Sequence, residues 1–440
     1  MRKCLLLILL LLTGIMLVGC NKNTSKVDEL TKQIQDLQEQ LTVLDSDLEN
    51  LQLTESDYQD RITYLEAQRL QLRTQIDSIE RQLKDMDNPS ASEIKIFLAD
   101  EYYLVPDENF QLFYRSIIQA VNPYHYYIKL TGTVGHGYNR YYEWKPQATD
   151  DGKTYSLQID VCDDNGYVLG SKTTKLIVSS ANSNAPKKNI LCIGDSLTAN
   201  GYWVSYGSSK YKNAGGGEIN LLGTIKGGYN NTIVNYEGRG GWQWSNYING
   251  FSDVATPFKK SSGSGISFTE YCSRNGYSHI DELYILMSWN GVGGSFRTFS
   301  LFAEPFASAK VVIDQFHSDF PQAKITLLGI PQPSVNSGLG AYYTINQSYG
   351  DNYGQFVTAL NYNKQLEELS KMSTYSSFVR YVDVKGQFDS EYNMPTESKP
   401  VNNQSTVTEL VGNSMGMHPT TAGYLQIGDV FYRALCQEWK

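Results

Sequence analysis

From about residue 189 to its end, the chain is predicted to fold as a three-layer α/β domain. Short apolar stretches with strand character alternate there with helical stretches such as 302–317 and 361–371, the order that builds a mostly parallel sheet covered by helices. The strand candidates are 189–193, 232–236, 283–287, 325–329 and 379–384. Reactive side chains are expected at the carboxyl ends of these strands. A small β-rich region and a long helix are predicted to precede this domain.

The bulk composition limits the classes of function. The chain has 440 residues, and 41% of them are hydrophobic, which supplies ample material for buried cores. A formal net charge of −9 argues against general affinity for nucleic acid. Six cysteines are present, none in a CxxC spacing, so neither a zinc ribbon nor a redox motif is indicated. We expect no metal and no cofactor.

The amino terminus has the layout of an export signal. A basic start, Met1-Arg2-Lys3, precedes an apolar run over 5–18. The run ends in Leu17-Val18-Gly19-Cys20, which resembles a bacterial lipobox. The signal peptide with its lipobox is therefore predicted at 1–20. The resemblance implies removal of the residues before Cys20, a diacylated Cys20, and an exported protein anchored to the cell membrane and facing outward. A plain signal peptide or a short membrane anchor is the alternative.

A seven-residue repeat of apolar side chains follows and predicts a coiled coil over 27–87. Sixteen of the eighteen a and d positions are apolar, and no Pro or Gly interrupts the pattern from Val27 to Asn88. An uninterrupted helix of this length would be roughly 90 Å long and would need a partner helix to cover its apolar stripe. Leu at most d positions, with charged Glu55 and Arg69 at a, favours a parallel homodimer. A trimer, or a helix folded back onto the body of the protein, remains open.

The β-rich region spans 93–180 and is predicted to be a small Ig-like sandwich. Its strand candidates, separated by turn signals such as Asp164-Asn165-Gly166, are 94–97, 111–114, 126–130, 155–159 and 174–178. Spacing is the role we favour, with glycan contact or packing against the following domain as alternatives. Residues 181–188 have the composition of a linker.

The first chemical signal lies where a buried strand ends. The apolar residues 190–193 run directly into Gly194-Asp195-Ser196-Leu197. A serine in a turn after a parallel strand presents its hydroxyl to a cleft, and its N–H lies near the positive end of the next helix, which favours an oxyanion. This is the logic of a nucleophile elbow, although the sequence is not GxSxG.

Four segments together resemble the blocks of the SGNH, or GDSL-type, hydrolase family. They are Gly194-Asp195-Ser196-Leu197-Thr198, Glu237-Gly238-Arg239-Gly240-Gly241-Trp242, Tyr284-Ile285-Leu286-Met287-Ser288-Trp289-Asn290-Gly291 and His418-Pro419-Thr420-Thr421-Ala422-Gly423-Tyr424. The resemblance covers 189–440 and implies a flavodoxin-like esterase domain. It makes Ser196 the nucleophile and His418 the base. The oxyanion donors would be the N–H groups of Ser196 and Gly241, with Gly240 one register away, and the Asn290 amide.

The chain departs from the family pattern at one position. The family usually has an aspartate three residues before the histidine, and here Met415 stands there, which cannot stabilise an imidazolium. Three hypotheses follow. A backbone carbonyl orients His418 in a Ser–His dyad, which we favour; an acid such as Asp389, Glu391 or Asp429 substitutes; or the domain binds without cleaving.

Aromatic residues crowd the motifs and suggest the substrate. Trp203, Trp242 and Trp289 are candidates to line the site, since flat rings can stack on sugar faces. Together with the surface anchor, they favour an acylated carbohydrate, such as O-acetyl groups on polysaccharide or peptidoglycan, as the substrate of a serine esterase. The competing hypothesis is a surface-tethered glycan-binding or envelope-spacer protein without turnover.

Overall fold

The computed structural model describes most of the chain beyond the amino terminus. It describes residues 24–51, 68–69, 72, 75–76, 94–287, 289–292, 302–335, 352–413 and 416–439. The predicted signal peptide with its Cys20 lies outside these residues. Within them, no helix is both long and apolar enough to cross a membrane. The chain divides into two compact units, Met1–Ser92 and Glu93–Lys440.

The first unit contains helix α1, Thr24–Leu51, which covers the start of the predicted coiled coil. Leu30 and Ile34, at d and a positions, are buried, as is Ile76 at a later a position. Arg69 Nε lies 2.8 Å from Asp45 Oδ1, whereas one straight helix would hold these residues about 36 Å apart. The prediction of a single uninterrupted helix is therefore wrong. Dimerisation through this region stays a prediction.

The β-rich region forms two sheets that share one core. Its elements are β1 Glu101–Leu104, β2 Phe110–Phe113, α2 Tyr114–Ile117, β3 Tyr127–Gly132, β4 His136–Gly137, β5 Tyr141–Trp144, β6 Thr154–Cys162 and β7 Val168–Val178. One sheet has the order β1-β7-β6-β3, with β1 parallel to β7, and the other the order β2-β5-β4. Leu104, Leu112 and Ile159 meet in the core between them. The strand predicted at 94–97 is wrong, since Ile96 forms only an isolated bridge with Ile118.

The remainder of the second unit is a mixed α/β structure with a parallel sheet, which confirms the predicted class. Its strands are β8 Lys188–Gly194, β9 Ile219–Leu222, β10 Ile225–Gly227, β11 Val234–Gly238, β12 Glu282–Leu286, β13 Lys324–Leu328, β14 Val379–Val382, β15 Thr396–Pro400 and β16 Thr408–Gly412. Its helices are α3 Tyr202–Asn213, α4 Trp244–Asn249, α5 Phe268–Asn275, α6 Ala303–Asp319, α7 Asn352–Lys371 and α8 Thr421–Cys436. The main sheet runs β10-β11-β8-β12-β13-β14, with β9 also beside β8, and only β10 is antiparallel to its neighbour.

Strand β8 shows why helices cover both faces of this sheet. All its central residues are apolar, and successive side chains of a strand point to opposite faces. Ile190 and Cys192 join the core that contains residues of α3 and α8. Leu191 and Ile193 join the other core, with residues of α6 and α7. A strand buried on both sides in this way is typical of parallel sheets.

The β-rich region is bound to the α/β region through polar contacts as well as apolar ones. Tyr102 Oη donates to Asp383 Oδ2 over 2.6 Å, and the buried Lys385 Nζ lies 3.0 Å from the same carboxylate oxygen. The Asn182 carbonyl, in the predicted linker, accepts from Gly217 N at 2.9 Å. Both regions and the segment between them therefore belong to one compact unit, Glu93–Lys440.

Candidate active site

The turn after β8 is held by its own backbone and by one buried carboxylate. Asp195 is fully buried, its Oδ1 accepts from Leu197 N at 2.9 Å, and its carbonyl accepts from Thr198 N at 3.0 Å. At Gly194, a Cβ would lie 2.2 Å from Thr198 Oγ1 and 2.3 Å from the Leu286 carbonyl oxygen. Only glycine fits there. The tight turn leaves Ser196 half-buried at the carboxyl end of the strand.

Sheet register brings the first three motif segments together. Gly194 is the direct neighbour of Gly238 on β11 and of Leu286 on β12, so these three strands end side by side. Arg239 N then donates to the Gly194 carbonyl over 2.8 Å, which ties the second segment to the turn. The clustering expected at the carboxyl edge of the sheet is present.

The fourth segment brings an imidazole to the serine. His418 Nε2 lies 2.8 Å from Ser196 Oγ, a normal hydrogen-bond distance between residues 222 positions apart. Burial lowers the pKa of His418 below its usual value near 6.5. The ring is therefore mainly neutral at pH 7, and in the tautomer with the proton on Nδ1 its Nε2 can accept the hydroxyl proton. This is the state that a general base needs.

The three predicted oxyanion donors follow the ends of the neighbouring strands β8, β11 and β12. Among the hydrogen bonds of the described residues, neither the Ser196 N–H nor the Gly241 N–H has an acceptor. Gly241 is exposed and has a φ of +79°, a conformation that favours glycine. Asn290 Nδ2 donates to the Trp242 carbonyl over 3.1 Å, which holds the amide beside residues 241–242, and its second hydrogen has no acceptor among the described residues.

A buried network behind this loop was not recognised from the sequence. Glu237 is fully buried, and its Oε1 accepts from Thr224 N at 2.8 Å and from Tyr271 Oη at 2.8 Å. Its Oε2 lies 2.7 Å from Arg239 Nη2, and the Arg239 guanidinium lies 5.0 Å from the Trp242 ring centroid. The network fixes the segment that carries Gly241. The only sequence signal was a glutamate two residues before an arginine.

The substitute acids proposed from the sequence are bound elsewhere. Asp389 and Glu391 both pair with Arg140, at 2.7 and 2.6 Å, and Asp429 Oδ1 lies 2.7 Å from Lys210 Nζ. That hypothesis is wrong for all three. Met415 lies outside the described residues, and within them His418 Nδ1 has neither a carboxylate nor a carbonyl as acceptor.

The tryptophans predicted to line a substrate surface lie in the core. Trp203 is fully buried and donates from Nε1 to Thr198 Oγ1 over 3.3 Å. The prediction that it lines the site is therefore wrong. Trp242 and Trp289 are 4% and 6% exposed and belong to the apolar core. The prediction fails because aromatic rings near a motif also fill the sheet–helix interface. In the described part of the chain, the exposed aromatic residues are instead Tyr127, Tyr138, Tyr167, Phe251 and Tyr392. Of these, Phe251 lies beside Gly241, where an added Cβ would be 3.8 Å from its ring.

The described residues contain no group of three side chains suited to hold a metal ion. The cysteines at 162, 192, 272 and 436 are buried and unpaired.

Comparison with known proteins gives distant structural similarity alone. No protein-family model matches the chain, and no curated sequence is significantly similar to it. An acetyl esterase mutant with acetate ion is 13% identical, with a TM-score of 0.36 over 56% of this chain and 96% of that one. A carbohydrate esterase family 3 protein from Talaromyces cellulolyticus is 15% identical, with the same TM-score and coverage. An extracellular lipase from Streptomyces rimosus is 15% identical, with a TM-score of 0.29 over 55% and 97%. Similarity this low assigns neither a family nor an activity.

Proposed function

We propose that this chain is a serine esterase that hydrolyses carboxylic esters through a Ser196–His418 dyad. The observation that carries the proposal is the 2.8 Å distance between Ser196 Oγ and His418 Nε2. A hydroxyl beside a neutral imidazole is the minimal arrangement for nucleophilic acyl transfer. Our assignment to the SGNH type is supported by the strand order β11-β8-β12-β13-β14, which is 2-1-3-4-5 in chain order, the flavodoxin-like arrangement.

Each step of the proposed reaction uses a group at the site. Ser196 Oγ attacks the ester carbonyl carbon while His418 Nε2 takes the hydroxyl proton. The N–H groups of Ser196 and Gly241 and the Asn290 amide would stabilise the oxyanion, and loss of one such donor typically costs about 3 kcal/mol. His418 then returns the proton to the leaving alcohol. Water then attacks the acyl carbon while His418 takes its proton, and His418 passes that proton to Ser196 Oγ as the acid is released.

The expected rate depends on the carboxylate partner of His418, which is absent from the described residues. In a serine protease, neutralising the triad aspartate lowers turnover about 10⁴-fold, in part through the wrong tautomer. With no acceptor for His418 Nδ1 among the described residues, we expect a slow enzyme. The same observation favours the alternative, a tethered glycan-binding protein in which the hydrolase fold survives without turnover.

An O-acylated carbohydrate is the substrate class that we propose, with O-acetyl groups as the main example. Tyr392 is 61% exposed, and the Arg140 guanidinium lies 4.4 Å from its ring centroid, which leaves part of the ring available to stack on a sugar face. Tyr392 immediately precedes Asn393, whose carbonyl accepts from Thr420 N at 2.9 Å, two residues beyond His418. A sugar-stacking ring in the loop that contacts the start of α8 would suit an acyl group carried on a glycan.

Hydrolysis of p-nitrophenyl acetate, together with fluorophosphonate labelling, tests the proposal. We expect both reactions in the wild type and neither in Ser196→Ala, while Ser308→Ala on the exposed side of α6 should behave as the wild type. Hydrolysis that persists in Ser196→Ala would contradict the assignment. A folded wild-type protein that neither hydrolyses the ester nor reacts with the label would support the binding alternative.

We further propose export and lipid anchoring through Cys20. The support is the sequence pattern of a basic start, an apolar run and a cysteine at its end. Membrane fractionation of cells expressing the full chain should recover it with the membrane. The Cys20→Ala variant should lose incorporated fatty acid, and incorporation equal to the wild type would contradict the anchor.

A further inference from the structure

An arginine of the β-rich region binds a loop of the α/β region. Arg140 lies just before β5, and its guanidinium binds two carboxylates at once. Its Nη2 donates to Asp389 Oδ1 over 2.7 Å and its Nε to Glu391 Oε2 over 2.6 Å. The guanidinium also lies 4.4 Å from the Tyr392 ring centroid. A planar cation with two charge-assisted hydrogen bonds and a ring contact fixes both the position and the orientation of that loop.

The loop that Arg140 binds is also held by hydrogen bonds among its own residues and with α8. Asp389 Oδ1 also accepts from the N–H groups of Glu391 and Tyr392, at 3.0 and 3.2 Å. The Asp389 carbonyl accepts from Asn393 N at 3.0 Å, which closes the turn. Gln426 Oε1, on α8, accepts from Asp389 N at 3.0 Å and from Asn393 Nδ2 at 2.7 Å. We call residues 389–393 the seat.

The seat holds the start of the helix that follows the base. The Asn393 carbonyl accepts from both Thr420 N, at 2.9 Å, and Thr420 Oγ1, at 3.1 Å. Thr420 is the N-cap of α8 and lies two residues after His418. At Gly423, a Cβ would lie 2.6 Å from Pro419 Cβ and 2.7 Å from the Asn393 carbonyl oxygen, so the contact is close. A shift of the seat would therefore move the backbone that carries His418.

We propose that Arg140 is a positioning residue for His418, acting through the seat, so that the β-rich region takes part in building the active site. In the triad of serine proteases, the aspartate orients the imidazole. Here the described residues offer His418 Nδ1 no acceptor, so the ring depends on its backbone for orientation. The pairing of Arg140 with Asp389 and Glu391 supplies that support mechanically, without stabilising the imidazolium. The inference rests on the proposed function for its kinetic consequence.

Arg140→Met tests this role, because it removes the charge and the hydrogen-bond donors of the guanidinium and keeps an unbranched side chain. We expect kcat for p-nitrophenyl acetate to fall about 10- to 100-fold with KM changed less than about threefold, since a displacement near 1 Å can cost 10²-fold. Arg140→Lys should recover part of the rate. The His418 ring protons, followed by NMR, should titrate closer to pH 6.5 in Arg140→Met, because a loosened ring gains access to water.

Lys129→Met is the matched control, since Lys129 lies in the same region but pairs with Asp160, 3.9 Å away and remote in sequence from the seat. It should match the wild type in kcat and in the His418 titration. If Arg140→Met does not fold, Asp389→Asn replaces it as the test. We expect a smaller decrease in kcat and a smaller shift of the His418 titration towards pH 6.5. Wild-type kcat and titration in a folded Arg140→Met, or in Asp389→Asn, would overturn the proposal. Absence of Ser196-dependent hydrolysis would instead refute the proposed function, and the titration would still test the positioning.

Discussion

The two halves of the candidate dyad are supported in different ways. Ser196 follows a strand that is buried on both faces, and its turn is closed by the backbone of Gly194, Asp195 and Leu286. His418 precedes the amino terminus of α8, and its ring contacts only Ser196 among the described hydrogen-bond partners. Its backbone rests on the seat, which is held by Arg140 from outside the main sheet. The nucleophile depends on the core of the fold, whereas the base depends on contacts added around it.

This difference indicates which substitutions should impair both folding and catalysis, and which should impair catalysis alone. A change inside the serine turn acts on the sheet and should damage folding and chemistry together. A change near the base should alter chemistry while leaving the fold intact, because its supports lie at partly exposed positions such as Arg140 and Glu391. Three perturbations test this contrast.

The largest effect is expected from Gly194→Ala. The added Cβ would lie 2.3 Å from the Leu286 carbonyl oxygen, so the backbone of β8 or β12 must move. We expect the free energy of unfolding to fall by about 2–3 kcal/mol and hydrolysis to fall by more than about 10²-fold. Urea unfolding measures the first quantity. Gly240→Ala is the control, since no atom lies within 4 Å of its Cβ, and its unfolding should change by less than about 0.5 kcal/mol. Equal stability in the two variants would contradict the account of the turn.

A smaller effect, confined to chemistry, is expected from Asn290→Ala. Its amide donates to the Trp242 carbonyl, and we propose that its second hydrogen is donated to the developing oxyanion. Removal of one such donor should lower kcat about 10²- to 10³-fold with little change in KM. Steady-state kinetics measure both constants, with Asn220→Ala on β9 as the control. A kcat within threefold of the wild type would exclude Asn290 from the oxyanion site.

The smallest effect is a shift of the midpoint of the kcat/KM profile to a pH below the usual pKa of histidine. Burial lowers the pKa of His418, with no opposing contribution from a charged neighbour. The base must be neutral to act, so kcat/KM should rise with pH to a midpoint below about 6.5 and remain level above it. A pH–rate profile from about 4.5 to 8.5 measures the midpoint. A midpoint above 7 would indicate a carboxylate that stabilises the imidazolium, contrary to the dyad.

The core of the fold was predictable because its patterns are local. Apolar runs predicted five of the six strands that pair in parallel in the main sheet to within two residues at each end, including β8 Lys188–Gly194, and helix α6 Ala303–Asp319 was expected at 302–317. The four motif segments were identified by residue type and order. The convergence of the first three follows from one property of parallel sheets, that strands end at a common edge, which Gly194, Gly238 and Leu286 display.

What could not be predicted depends on contacts between distant parts of the chain. Strands β1, β4 and β5 were missed, and the 94–97 segment was assigned a strand that it does not form. Asp389 was considered only as a substitute acid, because nothing in a single sequence pairs it with Arg140, 249 positions away. The apolar repeat predicted helix but not that Asp45 and Arg69 would meet within one chain. The buried tryptophans show that residue type near a motif does not determine exposure.

In the proposed mechanism, Ser196 forms a covalent acyl intermediate with His418 as its base. Rapid quenching of the full chain during reaction with p-nitrophenyl acetate, followed by peptide mass spectrometry, tests for this intermediate. We expect an acetyl group on Ser196 in the wild type, much slower acetylation in His418→Ala, and none at position 196 in Ser196→Ala. Ester hydrolysis with no acetyl group on Ser196 at any quench time, or acetylation unaffected by His418→Ala, would contradict the account.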